Sequence, residues 1–491
     1  MVLKRLLERL EYEVVQGSDE TEVSSLINDS RKVEAKAVFV CISGAVVDGH
    51  DFVPDVAARG AAALIVEKPV KAPADVTVIQ VKDTRYALAL MSAAYFGYPA
   101  DKLKIIGITG TKGKTTTTYM VKSILEDVGH KVGLIGTIEA IIGDRHIPAA
   151  NTTPESFTIH QYFAQMVEAG IDSVVMEVSS QGLMLHRTAG IQFEIGIFTN
   201  LGRDHIGPNE HADFDDYKRC KGILFTQCNF GIANIDDPYY ADVFARATCT
   251  TKTFGFSEKA DLRAADMQLI SRPGYLGVAY KVTGLMDFDV EIDIPGTFSV
   301  YNSLTAIAVC RHFDVPEDSI KKALKVAKVV GRIEMIQVSD EFTLMIDYAH
   351  NAMSLESLLS TLKEYQPARL VCLFGCGGNR SRDRRFEMGE VSGRLADLTI
   401  ITSDNPRYEN PQDIINDIIT GIKKTGGEYV EIINRKDAIK YAIEHGQPGD
   451  VIVLAGKGHE DYQEIKGVKH PMDERVLIRE VLDELRAVSS N

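Results

Sequence analysis

The chain has 491 residues, 45% of them hydrophobic and 25% charged, which is the make-up of an ordinary globular protein with room for about three domains. Its net charge of −15, from 54 basic and 69 acidic residues, excludes a general nucleic-acid binder but leaves room for local basic pockets that take small anions. The seven cysteines are scattered and form no C-x-x-C pair, so neither a zinc site nor a disulfide framework is expected. No apolar run reaches the about 18 residues that span a bilayer, so membrane insertion is not expected.

In chain order, residues 1–98 read as a first unit. Met1–Leu10 is amphipathic and charged, with no apolar signal core, and is expected to be a surface helix of a cytoplasmic protein. Strands are predicted over Ser24–Asn28, Ala37–Ile42, Ala62–Glu67 and Val76–Val81, with helices over Asp51–Arg59 and Thr84–Tyr95. The Tyr98-Pro99 turn is the expected boundary. Residues 99–330 form a central unit, with strands Leu103–Thr109, Ile171–Val178, Phe193–Thr199 and a short Ile232–Ile235. Residues 260–295 alternate apolar and polar side chains and predict an antiparallel appendage, and Asn302–His312 is an apolar helix. Residues 331–491 are the third unit, with strands Thr343–Ile346, Leu370–Phe374, Leu398–Thr402, Tyr429–Ile433 and Val451–Leu454. Apolar strands separated by helices predict an α/β fold with mostly parallel sheets.

The most informative stretch joins strand Leu103–Thr109 to a helix over Lys114–Val128. It reads Gly110-Thr111-Lys112-Gly113-Lys114-Thr115-Thr116, a glycine turn opening onto a lysine and hydroxyls. Glycines let backbone N–H groups face phosphates, and a helix N-terminus adds a positive field. Lys114 supplies a point charge and Thr115 a hydroxyl for Mg²⁺. The loop is shorter than the usual eight-residue pattern, because Ile108 stands where that pattern has glycine.

In open α/β sheets, ligands bind beyond the carboxyl ends of the strands. In the central unit those ends carry Lys114, Thr115, Glu177 and Asp204-His205, suited to a Mg²⁺–nucleotide. In the third unit they carry Asp347-Tyr-Ala-His350, Gly375-Cys-Gly-Gly-Asn-Arg380, Asp404-Asn-Pro-Arg407 and Gly456-Lys-Gly-His-Glu460. Arg380 and Arg407 can each hold a carboxylate bidentately, and Glu460 can hold an ammonium, which suits an amino acid. Taken singly, each has a plainer reading. Glu177 can cap a helix, His205 can be a solvated turn histidine, Arg407 can close a turn salt bridge, and Arg382, Arg384 and Arg385 can form a solvated basic loop. Lys221, beside Lys218 and Arg219, reads on spacing as a solvated cation.

Thr109-Gly-Thr-Lys-Gly-Lys-Thr-Thr116, Asn151-Thr-Thr-Pro154, Met176-Glu-Val-Ser-Ser180, Asn200-Leu-Gly-Arg-Asp-His205, Asp347-Tyr-Ala-His350, Asp404-Asn-Pro-Arg407 and Gly456-Lys-Gly-His-Glu-Asp-Tyr-Gln463 together resemble the Mur ligase family, in the family's order. The resemblance implies three domains: an N-terminal uridine-nucleotide-binding α/β domain, a central P-loop ATPase and a C-terminal Rossmann-like domain that admits the amino acid. It implies an amide-forming ligase of peptidoglycan precursor synthesis that works through an acyl phosphate. ATP and Mg²⁺ are its implied cofactors. UDP-N-acetylmuramoyl-L-alanyl-D-glutamate and meso-diaminopimelate are its implied substrates, and a monomer its implied state.

Residue by residue, Ser30 matches the family's uridine-site serine, and Asn151, Thr152, Thr153, Ser179 and Arg187 match the muramoyl–dipeptide side. Gly110 to Thr116 match the ATP loop, and Asn302, Arg332, Asp347 and His350 match positions around the adenosine. Glu177 and His205 match metal-site positions, and Lys221 matches a lysine that the family carbamylates with CO₂. Lys114, Glu177, His205 and Lys221 are thus the implied catalytic set. Arg380, Asp404, Asn405, Pro406, Arg407, Gly456 and Glu460 match the amino-acid site. The arginine of Asp404-Asn405-Pro406-Arg407 points to diaminopimelate, since lysine-adding relatives lack it. Three positions depart from the family: Lys112 for asparagine, Gln181 for histidine and Leu185 for glutamine. The alternatives are a lysine-adding ligase, a folylpolyglutamate synthase, which Asp29-Ser30-Arg31 argues against, and a non-catalytic nucleotide-binding scaffold.

Overall fold

The computed structural model describes residues 1–44, 47–204, 206–207, 210–272 and 274–489, so His205 lies outside the described residues. The chain divides into two compact units, Met1–Arg263 with Thr305–Val315, and Ala264–Leu304 with Pro316–Asn491.

The first unit holds two sheets. The smaller runs Glu13–Gln16, Thr77–Gln80, Ala63–Val66, Val38–Val40, Leu26–Ile27, parallel except for its first pair. The expected helix over the first ten residues is a single turn, Leu3–Leu6. It has no side-chain N-cap and is held by burial of Leu3, Leu6 and Leu7, not by helix propensity. The expected strand at 24–28 shortens to Leu26–Ile27. Helix Thr84–Tyr95 is capped by Asp83, whose carboxylate accepts from Tyr86 N–H. At its end Tyr95 and Phe96 pack on Phe157 of helix Ser156–Glu168, which joins the smaller sheet to the larger.

In the larger sheet the strands of this unit run Thr250–Gly255, Cys228–Asn234, Phe193–Phe198, Lys104–Thr109, Ser173–Glu177, Val132–Ile135, all parallel. Glu139–Ile142 and Arg145–Pro148 add an antiparallel edge. Ile105, Ile106, Val174, Val175, Ile195 and Ile197 are all fully buried, as a sheet covered on both faces requires. Cys228–Asn234 is a seven-residue strand, longer than the expected Ile232–Ile235. From Lys104–Thr109 the chain passes to one side of the sheet and later returns to the other. That strand's carboxyl end is therefore a switch point.

The second unit holds a six-stranded sheet in the order Glu334–Ile336, Thr343–Asp347, Asp450–Ala455, Arg369–Phe374, Leu398–Ile401, Tyr429–Glu431. Only the first strand is antiparallel. Tyr275–Gly284 and Phe288–Ile292 pair antiparallel, as the alternation over 260–295 predicts. A separate hairpin, Tyr462–Ile465 with Val468–Pro471, is not anticipated from the sequence. Among the described residues no helix is long and apolar enough to cross a membrane.

Candidate active site

The glycine turn sits at the switch point of the first unit. Gly110 has φ +150° and Gly113 φ +86°, and Gly113 caps the helix Lys114–Asp127. A Cβ on Gly110 would lie 1.9 Å from Thr199 Oγ1, so no side chain fits between the loop and the neighbouring strand end. That strand end holds the loop from outside. Asn200 Oδ1 accepts from Lys112 N–H at 2.9 Å, while Asn200 Nδ2 and Thr199 Oγ1 donate to Lys112 O at 3.0 and 2.8 Å. Lys114 Nζ folds back on Gly110 O and Thr111 O, at 2.9 and 3.1 Å.

Glu177 ends the adjacent strand and is 1% exposed. Its Oε1 accepts from Thr115 Oγ1 at 3.0 Å and from Thr137 N–H at 2.9 Å, and its Oε2 accepts from Thr137 Oγ1 at 2.9 Å. It caps no helix here. A buried carboxylate bonded to the hydroxyl that follows the lysine of a phosphate loop is the hard-oxygen donor pair that Mg²⁺ takes, so these residues fit that ion. Thr152 Oγ1 lies 3.0 Å from Thr137 Oγ1. Thr153 Oγ1 donates to Glu177 O and accepts from Ser179 N–H, and Arg187 Nη1 donates to Thr153 O at 2.9 Å. Ser179 Oγ caps the short helix Ser180–Met184 through Gly182 N–H. Thus Thr115, Thr137, Thr152, Thr153, Glu177, Ser179 and Arg187 are brought together. Asn151 is exposed beside them, and Ser30 opens the 3-10 turn Ser30–Lys32 on the smaller sheet.

Lys221 is not the solvated cation that its neighbours suggest. It is 1% exposed on helix Phe214–Gly222, with Nζ donating to Gly110 O at 2.9 Å and lying 4.6 Å from the centre of the Tyr217 ring. Burial, then the Lys114 charge, push its ammonium well below the ordinary lysine range. The shift favours the unprotonated amine, the form that can take up CO₂. The sequence carries a signal for this burial: Tyr217, Cys220 and Lys221 fall at i, i+3 and i+4, and all three are buried.

In the second unit a cavity of about 150 Å³ is lined by Tyr348, His350, Arg380, Asp404, Asn405, Arg407, Gly456 and Glu460 among others. Asn405 Nδ2 donates to Glu460 Oε2 at 3.0 Å. Lys457, wholly buried, donates to Asn405 Oδ1 and Glu460 Oε2, both at 3.0 Å, and to Tyr462 O. Burial pushes the Glu460 carboxyl up, but Lys457 and Asn405 outweigh it and the net shift is downward, so the group stays an anion. Lys457, to which the sequence reading gives no role although it lies inside the Gly456–Glu460 motif, holds two residues of the cavity lining from beneath. Arg407 has φ +52°; its Nε donates to Glu464 Oε2 at 3.0 Å and its Nη1 to Gly378 O at 2.8 Å. The turn salt bridge is therefore real, and it uses two of the guanidinium's five donors.

Arg385 also departs from the solvated reading. It is 1% exposed and donates to Asp417 at 3.0 Å and Glu409 at 2.8 Å, and Glu409 accepts from Asn379 N–H, which fixes the Gly375–Arg380 loop. Beneath the cavity Arg435, 1% exposed against a fully buried Glu474, donates to Glu474 Oε1 at 2.8 Å and to Ala455 O at 3.0 Å, clamping a strand end. Arg380 is exposed at the rim. Asp347 Oδ1 and Oδ2 accept from Ala349 and Ile333 N–H, and its carboxyl is raised by burial. The Arg332 guanidinium lies 4.8 Å from the centre of the Tyr348 ring, and its buried Nε has no hydrogen-bond partner among the described residues. Asn302 is buried on helix Thr297–His312.

Three family models match the chain: Mur ligase family, catalytic domain, at residues 22–96; Mur ligase middle domain at 108–310; and Mur ligase, glutamate ligase domain, at 331–458. A UDP-N-acetylmuramoyl-L-alanyl-D-glutamate–2,6-diaminopimelate ligase of Clostridium perfringens is 45% identical, covering 98% of this chain and 100% of its own. The protein of the same name from Geobacillus thermodenitrificans is 38% identical, over 99% and 100%. A solved structure with that name superposes with a TM-score of 0.73 at 28% identity, covering 99% of each chain. A folylpolyglutamate synthase of Mycobacterium tuberculosis, complexed with ADP and AMPPCP, shares the fold at 18% identity and TM-score 0.59 over 76% of this chain and 92% of its own. With three family models in order and relatives alike from end to end, the chain belongs to the Mur ligase family.

Proposed function

We propose that this chain is an ATP-dependent ligase that joins meso-2,6-diaminopimelate to the D-glutamate of UDP-N-acetylmuramoyl-L-alanyl-D-glutamate, in the cytoplasm and as a monomer. The observation that carries the amino-acid choice is the small polar cavity in which Arg407 and Glu460 stand together with Asp404 and Asn405. Diaminopimelate has a carboxylate and an ammonium at its far end, matching the guanidinium and the carboxylate. Lysine lacks that carboxylate and would leave desolvated donors of Arg407 unpaired, at a cost of about 1–3 kcal/mol. Full-length likeness to relatives of that name supports the same reading.

The glutamate carboxylate attacks the γ-phosphorus of ATP and ADP leaves. The amine then attacks the acyl carbon, the bond to phosphate breaks, the amine gives up a proton, and an amide remains. Backbone N–H groups of Gly110 to Thr116, with the N-terminus of helix Lys114–Asp127, hold the ATP phosphates, and Lys114 turns its ammonium from Gly110 O to them. Thr115 and Glu177, with His205, would hold Mg²⁺, which neutralises charge on the transferring phosphoryl group. Lys221, carbamylated by CO₂, would add an anion to that set. Asn151, Thr152, Thr153, Ser179 and Arg187 orient the dipeptide, and Ser30 takes the uridine. Asn302, Arg332, Asp347 and His350 serve the adenosine. Arg380, Asp404, Asn405, Pro406, Arg407, Gly456 and Glu460 take the amino acid.

The test is phosphate release and product mass with ATP, the nucleotide-linked dipeptide, and either diaminopimelate stereoisomers or lysine. Release that needs all three substrates and prefers the meso isomer is expected. A preference for lysine overturns the reading of Arg407, and no release favours a scaffold.

A further inference from the structure

His211 is fully buried in the first unit, and both of its ring nitrogens are engaged. Nδ1 lies 2.9 Å from Asp216 Oδ2, and Nε2 lies 2.8 Å from Ser180 Oγ. A carboxylate only accepts, so Nδ1 carries a proton, and the Ser180 hydroxyl, which can donate or accept, pairs with Nε2. The order serine, histidine, aspartate is that of a hydrolase triad, but Ser180 is 3% exposed, which denies it to any substrate as a nucleophile. The trio is a tie between elements. Ser180 opens the short helix directly after Ser179, and Asp216 is in the first turn of helix Phe214–Gly222, whose last turn carries Lys221.

The tie extends further. The His211 ring lies 5.1 Å, centre to centre, from that of Tyr217. Tyr217 is fully buried, and its hydroxyl lies 3.0 Å from Thr111 Oγ1 in the phosphate loop. The same ring underlies the Lys221 amine. Asp216 is itself held by Arg219 at 2.6 Å, so the carboxylate is fixed on its far side. His211, Ser180 and Tyr217 are buried and Asp216 is partly so; with every member paired such a network has one low-energy arrangement, and a half-broken one leaves buried groups unpaired.

We propose that His211 is a positioning residue for the ligase reaction: through Ser180 on one ring nitrogen and Asp216 on the other, it sets the Ser179–Ser180 loop against the helix of Lys221 and, through Tyr217, against the phosphate loop. This rests on the reading of Ser179 as a contact of the nucleotide-linked dipeptide.

The experiment uses the full chain and steady-state kinetics in each substrate. Ser180→Ala removes only the hydroxyl, and it is expected to raise the KM for the nucleotide-linked dipeptide and lower kcat, about tenfold in kcat/KM. The KM for the amino acid should stay within twofold. His211→Ala should do at least as much. The double variant should be no worse than His211→Ala, because the two side chains act as one. His211→Gln, whose amide can still pair with Ser180, should recover most of the dipeptide KM. Wild-type constants in Ser180→Ala, losses that multiply in the double variant, or an equal rise in the amino-acid KM overturn the proposal. If the unmodified chain forms no product, the ligase reading falls instead. The tie is then read by calorimetry with ATP and Mg²⁺, where His211→Ala should weaken binding about tenfold, and unchanged affinity overturns it.

Discussion

Lys221 shows how one buried side chain can be replaced without unfolding the protein around it. Its amine is 1% exposed and shares Gly110 O with Lys114, so removing it leaves that carbonyl paired. Its hydrogen bond goes to a carbonyl oxygen, not a carboxylate, so its loss leaves no hydrogen-bonded anion unpaired. Lys221→Met, similar in length and apolar, should therefore keep the thermal midpoint within a few degrees. Turnover should fall at least 100-fold if Lys221 has the role proposed for it. Kinetics and a melting curve on the same preparation check this, and a large loss of stability would mark Lys221 as a structural residue only. Arg407 makes the complementary case in the second unit. Arg407→Ala should raise the amino-acid KM about 100-fold, a loss of about 2.7 kcal/mol, and leave the ATP KM within twofold. Arg407→Lys should recover little, since a point charge does not reproduce a planar fork. Equal effects on both substrates would count against the assigned role.

The element that the sequence hides best is the hairpin Tyr462–Ile465 with Val468–Pro471. Arg407 N–H donates to Glu464 O at 3.0 Å, Lys466 N–H donates to Arg407 O at 2.7 Å, and Asn405 Oδ1 accepts from Glu464 N–H at 2.8 Å. With the side-chain bond from Arg407 to Glu464, the hairpin holds both residues of the motif from outside the cavity. Glu464→Ala should raise the diaminopimelate KM about tenfold with little change in kcat, and Glu464→Gln, whose amide oxygen still accepts from Nε, should recover most of it. An unchanged KM would show that the backbone bonds alone hold Arg407. Buried parallel strands such as Lys104–Thr109 and Ser173–Glu177 are legible as apolar runs that end at a glycine or a charge, whereas the short Val132–Ile135 and the half-exposed Thr250–Gly255 carry too weak a signal to be read. In the hairpin no residue is fully buried, so no apolar period marks it. Its one local signal is the Lys466-Gly467 pair, at φ +50° and +80°, a tight turn between strands. The edge strands Glu139–Ile142 and Arg145–Pro148 and the helix Ser156–Glu168 are missing from the sequence reading too. Much of the two candidate sites is legible from strand ends, but Thr137 in the first and Lys457 in the second are not. Their part is to hold Glu177 and Glu460 by contacts between residues far apart in the chain or inside a motif read only for its ends.

At the scale of the molecule, the pH dependence of stability has one contributor that can be isolated. His160 is fully buried on helix Ser156–Glu168, its ring is set edge-on to Phe163, and neither ring nitrogen has a partner among the described residues. Burial alone pushes its pKa down to about 4. The unfolded chain therefore takes up this proton near pH 6.5, the ordinary histidine value, and the folded chain only near 4. The contribution is fully present above pH 6.5 and is lost as pH falls toward 4. The two values imply a loss of roughly 2 kcal/mol by pH 5. Glu474 and Asp347, raised by burial, act with the opposite sign: their contribution is lost as pH rises through their folded-state values. The net charge of −15 also shrinks as pH falls, relieving self-repulsion. Those effects are common to the wild type and to His160→Leu, so they cancel in the difference between the two. Urea midpoints at pH 7.5 and pH 5 should then show the leucine variant gaining roughly 2 kcal/mol on the wild type as pH drops. Its diaminopimelate KM at pH 7.5 should be unchanged, since His160 touches no part of the proposed site. Parallel stability curves for the two proteins would show that the imidazole finds water or a partner when charged, and that its burial is not what makes the fold acid-sensitive.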